Sequence, residues 1–331
     1  MLCRVADSLF WMSRYIERAE DTARLADVNL QLLLELGLDE AGAEAHWLAI
    51  FESLGDRALF EKSYGKLTTR NAIEFLTFSQ HNPSSVLCCV LAARENARMI
   101  RDQISSEMWE VINRLYLFMR AQDRNEVMSS GASEFFKQIK EWSHLFNGVT
   151  DATFPRQVGY EFIKIGCYLE RADKTARIIN AKQYLEGDHF NQGSAQDMIQ
   201  WVAILSSCTA LEAYQRIYVD DILPRNVVDF LIHSKDFPHS LLFCLSELQL
   251  AIHDISKCPV SHYSNEAERI LGKLISNIVY TSVEEIIAQG IHEYLEHVLE
   301  EVSKVTLLLS EQYMFMPVVD PAKEAEEAST S

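Results

Sequence analysis

The chain has 331 residues, 48% of them apolar, with 12 glycines, 7 prolines and a formal net charge of −18. That apolar content excludes a disordered chain, and the scarcity of Gly and Pro leaves room for long uninterrupted helices. The charge argues against broad phosphate-backbone binding, since nucleic-acid affinity rests on neutralising phosphates with Lys and Arg.

In chain order, residues 3 to about 36 form the clearest predicted helix. Val5, Leu9, Met12, Ile16, Ala19, Ala23, Ala26, Leu30 and Leu33 recur at spacings of three and four, one apolar stripe facing partner helices. The three alanines would let a neighbour approach closely, and the span would run about 50 Å. Further helices are predicted near 40–53, 68–79, 83–104, 106–122, 131–149, 154–185, 195–218, 224–233, 238–256, 263–279 and 282–312. Asn82-Pro83 offers an N-cap with proline at the first helical position, and Thr281 with Glu284 fits a capping box. No period-2 pattern competes. From Pro317 the Pro, Ala, Glu, Ser and Thr composition predicts a disordered acidic tail, 317–331. No secretion signal or membrane-spanning apolar run is recognisable, so the expected location is the cytoplasm and no membrane partner is expected. The seven cysteines have no metal-type spacing and read as buried reduced thiols.

An internal repeat is the most informative feature. The run Tyr15-Ile16-Glu17-Arg18-Ala19-Glu20-Asp21-Thr22-Ala23-Arg24 returns as Tyr168-Leu169-Glu170-Arg171-Ala172-Asp173-Lys174-Thr175-Ala176-Arg177, displaced by 153. Trp47 returns as Trp201, displaced by 154. Arg70-Asn71, Phe75-Leu76, Ser79, Pro83, Ser85, Leu87 and Cys89 match Arg225-Asn226, Phe230-Leu231, Ser234, Pro238, Ser240, Leu242 and Cys244, displaced by 155. The expected fold is therefore all-α: an elongated bundle of two diverged tandem repeats with long antiparallel helices, one over 1–150 and one over 151–316.

The opening Met1-Leu2-Cys3-Arg4-Val5-Ala6-Asp7-Ser8-Leu9-Phe10-Trp11-Met12-Ser13-Arg14-Tyr15-Ile16-Glu17-Arg18-Ala19-Glu20 resembles the amino-terminal signature of the bacterial alpha-E domain proteins. Ala93-Arg94-Glu95-Asn96-Ala97-Arg98, Ser106-Glu107-Met108-Trp109-Glu110, Asn113-Arg114-Leu115-Tyr116 and Asp236-Phe237-Pro238 extend the likeness to about residue 315. Cys3 stands where serine is usual. The resemblance implies an all-helical protein associated with circularly permuted ATP-grasp ligases and transglutaminase-like peptidases, hence peptide or amide-bond chemistry. It carries over no catalytic residue.

Two charged constellations stand out. On the first helix Glu17, Glu20 and Arg24 share a sector beside the apolar stripe, with Arg14 and Arg18 on another flank. The second copy keeps Glu170, Arg171, Asp173 and Arg177. A carboxylate pair could share a cation, but too few ligands are in sight, so no metal is expected. The favoured reading is helix-packing ion pairs such as Arg14–Glu17 and Glu20–Arg24. A metal site becomes possible again only if the acidic rows of the two copies face each other. On the helix over 83–104, Arg94, Arg98 and Arg101 follow i, i+4, i+7, with Glu95 and Asn96 beside them. The second copy has Gln249, His253 and Ser256 there. This is the anion-site candidate, for a peptide carboxylate or a phosphate, unless the arginines pair with Glu17, Glu20, Glu95 or Asp102. No nucleophile elbow, phosphate loop or Ser-His-Asp order appears, and no cofactor is expected. Three readings follow: an accessory or substrate-presenting partner of a ligase and a peptidase, which is favoured; an enzyme using a Glu/Arg-lined cleft on an amide or peptide; and a purely structural scaffold.

Overall fold

The computed structural model describes residues 2–186, 195–219 and 222–314, and every regular element within them is a helix. The order is α1 (Cys3–Leu36), α2 (Glu40–Leu54), α3 (Arg57–Tyr64), α4 (Thr69–Thr77), α5 (Val86–Met99) and α6 (Ser106–Ala121). A short α7 (Arg124–Glu126) passes through a π turn at Val127–Gly131 into α8 (Ala132–Thr153). Then come α9 (Val158–Glu186), α10 (Ala195–Ser207), α11 (Leu211–Ile217), α12 (Pro224–His233), α13 (Leu241–Ser256), α14 (Glu266–Tyr280), α15 (Val283–Gln289) and α16 (Ile291–Tyr313).

Apolar periodicity located most helices, and departures occur where side chains or backbone compete with it. The helix expected from Pro83 starts at Val86: Ser85 is the cap, accepting from the Cys88 amide, while Asn82 instead turns the chain by accepting from the Ser84 amide at 2.8 Å. It also stops at Met99, although Ile100 and Ile104 stay buried and prolong the apolar spacing. The span expected over 195–218 breaks after Ser207, where Thr209 takes φ 58°. The last long span breaks at Gly290, φ 103°. The capping box lies one residue later than expected, with Ser282 and Glu285 as the reciprocal pair. Helix α3, closed by Gly65, was not anticipated. The expected acidic tail lies outside the described residues.

Helix α1 packs along α9 and is also covered by α5, α8 and α10; α9 is covered in turn by α1, α2, α13 and α16. A single buried apolar cluster runs through all of these. Small side chains bring the central pair together: Ala23, Ala26, Ala172 and Ala176 are fully buried, and Gly166 sits against the Phe10 carbonyl with no room for a Cβ. A helix with neighbours on nearly every side must bury its polar residues as well as its apolar stripe. Glu17, Glu20, Asp21, Thr22 and Asp27 are accordingly all buried. Among the described residues no helix is long and apolar enough to cross a membrane.

Candidate functional site: two buried glutamate–arginine nodes

Burying carboxylates between α1 and α9 requires compensation by charge and hydrogen bonds. Glu170, fully buried, receives it from α1: Arg14 Nε donates at 2.7 Å, and Arg18 donates through Nε at 2.6 Å and Nη2 at 2.7 Å, a two-pronged fork. Burial would raise the Glu170 pKa, but Arg18 and Arg14 outweigh it and hold the carboxyl below the ordinary range. The two guanidinium planes rest on aromatic faces, Arg14 over Phe10 and Trp11 and Arg18 over Tyr15. Arg14 therefore pairs across the helices, with Glu170, where a pair with Glu17 on its own helix was expected.

The reciprocal node has Glu17 as acceptor. Arg171 from α9 donates to it through Nε and, at 3.3 Å, through Nη2; the Cys167 thiol lies 3.3 Å from Oε2. Burial, reinforced by Glu17 and opposed by Arg171, pushes the Cys167 thiol well up, so it stays protonated. One turn along α1, Asp21 is 4% exposed and its Oδ2 has no hydrogen-bond partner among the described residues. Its carboxyl is pushed well above the ordinary range by burial first and then by Glu17, Glu20 and Glu170. His239, in the turn before α13, is depressed to about 3, mainly by burial, and is a neutral imidazole. Glu17, Asp21 and His239 each bring one potential ligand atom to within 4.8 Å of the others.

Beside these nodes, Glu20 pairs with Arg24 at 2.5 Å, as expected from their spacing, and also with His144 Nε2 of α8 at 3.1 Å. Burial opposes ionisation of Glu20, but His144 and Arg24 prevail and lower its pKa; the same hydrogen bond raises His144. Arg177 pairs with Asp173 at 2.9 Å and donates to the Ser53 carbonyl at 3.0 Å.

Comparison with known proteins gives this arrangement a context. A family described as "a predicted alpha-helical domain with a conserved ER motif", Alpha-E, matches residues 1–314. The chain belongs to the Alpha-E family. It is similar to uncharacterized proteins of Mycobacterium bovis and Mycobacterium tuberculosis, 23% and 22% identical respectively over 318 residues. Those matches cover 89% of this chain and 35% of each relative, so the chain spans about a third of the relatives' length. No solved structure matches it. Of the three Glu-Arg dipeptides in this Alpha-E chain, Glu17-Arg18 and Glu170-Arg171 build the nodes, and Glu268-Arg269 opens α14.

The arginine face of α5 lies apart from the nodes. Arg94 donates to Asn113 Oδ1 at 3.0 Å and Glu95 at 3.1 Å and stacks on Tyr116 at 4.2 Å; Arg98 reaches Glu95 at 2.8 Å. Arg101 falls beyond the end of α5, over Trp109, so the expected three-residue row on one helix is two residues plus a turn. Asn96 hydrogen-bonds the Ala92 carbonyl within its own helix. Asp21, His144, Cys167 and His239 were not anticipated as site residues. Asp21 and His239 left a signal, each standing inside a matched block where the copies differ, Asp21 against Lys174 and His239 against Ser84.

Proposed function

We propose that this Alpha-E chain is an accessory or substrate-presenting helical protein that works in the cytoplasm with an ATP-grasp-type ligase and a transglutaminase-like peptidase, in peptide or amide-bond metabolism. The observation that carries this reading is the length of the relatives: the matched region is only 35% of each, so the helical unit there works joined to other chain. The internal pairing of most of the charged candidates also favours it. Arg14 and Arg18 pair with Glu170 and Arg171 pairs with Glu17 between α1 and α9, while Glu20 pairs with Arg24 and Arg177 with Asp173 along their own helices.

We further infer that the unit is two interlocked copies with antiparallel flanking helices. Helix α2 packs on α9 and α10 on α1, so each copy's second helix lies on the other copy's first. Thr22 donates to the Ser84 carbonyl while its counterpart Thr175 donates to the His239 carbonyl. Asp27 meets Lys140 and Glu20 meets His144, as expected for α8 running back along α1.

The test mixes the purified full chain with a purified ATP-grasp-type ligase and a transglutaminase-like protein from the same genome. Co-sedimentation at micromolar concentration, or a change in the ligase's ATP turnover, is the expected result. Separate sedimentation with unchanged turnover would overturn the reading. The enzyme alternative, a Glu/Arg-lined cleft, has one observation in its favour, the unpartnered Asp21 carboxylate.

A further inference from the structure

The two nodes share their geometry but not their charge. Around Glu170 stand Arg14, Arg18 and, acting at longer range, Lys174. Displaced by 153, the corresponding positions around Glu17 are Cys167, Arg171 and Asp21. A thiol replaces one arginine and a carboxylate replaces the lysine. The fourth position differs too: Ser84, whose carbonyl meets Thr22, corresponds to His239, whose carbonyl meets Thr175 at 2.7 Å. The first node contains its own surplus of cations. The second holds two carboxylates, one arginine, a protonated thiol and a neutral imidazole, all buried or half-buried.

A buried carboxylate with an unpartnered oxygen is costly unless it is protonated or meets a cation. Asp21 Oδ2 accepts no hydrogen bond among the described residues, and the strongest charges acting on it are the carboxylates of Glu17, Glu20 and Glu170, with Lys174 as the weaker opposing cation. Two carboxylate oxygens and one imidazole nitrogen form a donor set for a divalent first-row metal, whose bonds of about 2.0–2.2 Å need donors about 3 to 4 Å apart. We propose that Glu17, Asp21 and His239 hold a divalent transition-metal cation at the centre of the α1–α9 interface, supplying the charge that Lys174 supplies in the opposite node. Arg171 donates to both Glu17 oxygens and the Cys167 thiol to Oε2, fixing the carboxylate as outer-shell partners do and leaving a second lone pair on Oε1 for the cation. A second donor set, His253, Cys258 and Glu268, lies where α13 leads to α14. Its one carboxylate, Glu268, accepts hydrogen bonds on both oxygens from Ser264 and Asn265, so that set has no buried unpartnered oxygen to match Asp21 Oδ2.

The experiment uses the full chain, stripped with a chelator and then loaded with Zn²⁺ or Mn²⁺ alone. Elemental analysis after gel filtration and thermal unfolding are the readouts. About one metal per chain and a raised melting temperature are expected. Asp21→Asn and His239→Ser, the latter restoring the residue of the first copy, should each weaken affinity at least ~100-fold. Asp21→Lys should fold, retain no metal and melt identically with and without chelator. Cys258→Ser should leave the stoichiometry unchanged. The proposal is overturned if the wild-type chain retains no stoichiometric metal and its melting is unmoved. It is equally overturned if Asp21→Asn and His239→Ser bind as tightly as wild type. Should Asp21→Lys fail to fold, His239→Ser, outside both central helices, decides alone.

Discussion

Glu170 and Glu17 occupy matching places on the two central helices, yet two arginines grip one and a single arginine with a thiol grips the other. The comparison separates architecture from specialisation. The Glu-Arg pair across the helix crossing recurs in both nodes, each glutamate taking its guanidinium donors from the opposite helix. The residues that differ, Arg14 against Cys167, Lys174 against Asp21 and Ser84 against His239, change the charge without changing the crossing. They mark the Glu17 node as the one adapted to something beyond packing.

The largest effect should come from breaking the stronger fork. Glu170→Ala strands Arg14 and Arg18 in a low-dielectric site, and removing one partner of such a buried group costs about 3–5 kcal/mol. Glu17→Ala in chelated protein should cost less, because it also relieves the repulsion on Asp21. Equal losses in urea unfolding would erase the distinction between the nodes.

A second contrast lies farther along the same helices. Asn29 and His46 meet at 2.8 Å in the first half, and their counterparts, displaced by 153 and 154, are Lys182 and Gln200; Lys182 also pairs with Asp197 at 2.7 Å. Burial depresses His46 from 6.5 to about 4. The unfolded chain therefore binds the proton first, so this stability is complete above pH 6.5 and is lost as pH falls through about 4. The full loss is about 3 kcal/mol, and His46→Gln should flatten the stability–pH curve across that window. An unchanged curve would show that the imidazole is not held neutral.

Gly166→Ala pushes a methyl into the Phe10 carbonyl and should destabilise by about 1–3 kcal/mol, whereas its counterpart Ser13 already carries a side chain and Ser13→Ala should cost under ~1 kcal/mol. Thermal melts of the two variants compare the close approach directly. The smallest change is expected at Arg98, whose side chain is 62% exposed beside Glu95. Arg98→Ala should alter stability within about 0.5 kcal/mol, so any loss of affinity for a carboxylate or phosphate probe would report on binding alone.

Much of the scaffold was legible in the sequence. The first helix ends where its stripe ends, the alanines at mid-stripe are buried, and Glu20–Arg24 pairs at its expected spacing. Local competition hid the rest. Ser85 outbid Asn82 as a cap, Gly290 split a span whose apolar spacing continued through it, and α5 ended before Arg101 could join a row.

Helix content and the matched Glu-Arg blocks were determined by the sequence alone, because both depend on spacing along one chain. Tertiary structure decided which charges meet. Arg14 could have reached Glu17 on its own helix, and only the crossing of α1 with α9 put Glu170 within closer reach. The same crossing sealed Asp21 from water, and the docking of α13 on α9 brought in His239 from more than two hundred residues away. Spacing fixes which side chains share a face, but the partner of a buried charge is chosen by whichever helix arrives to cover it.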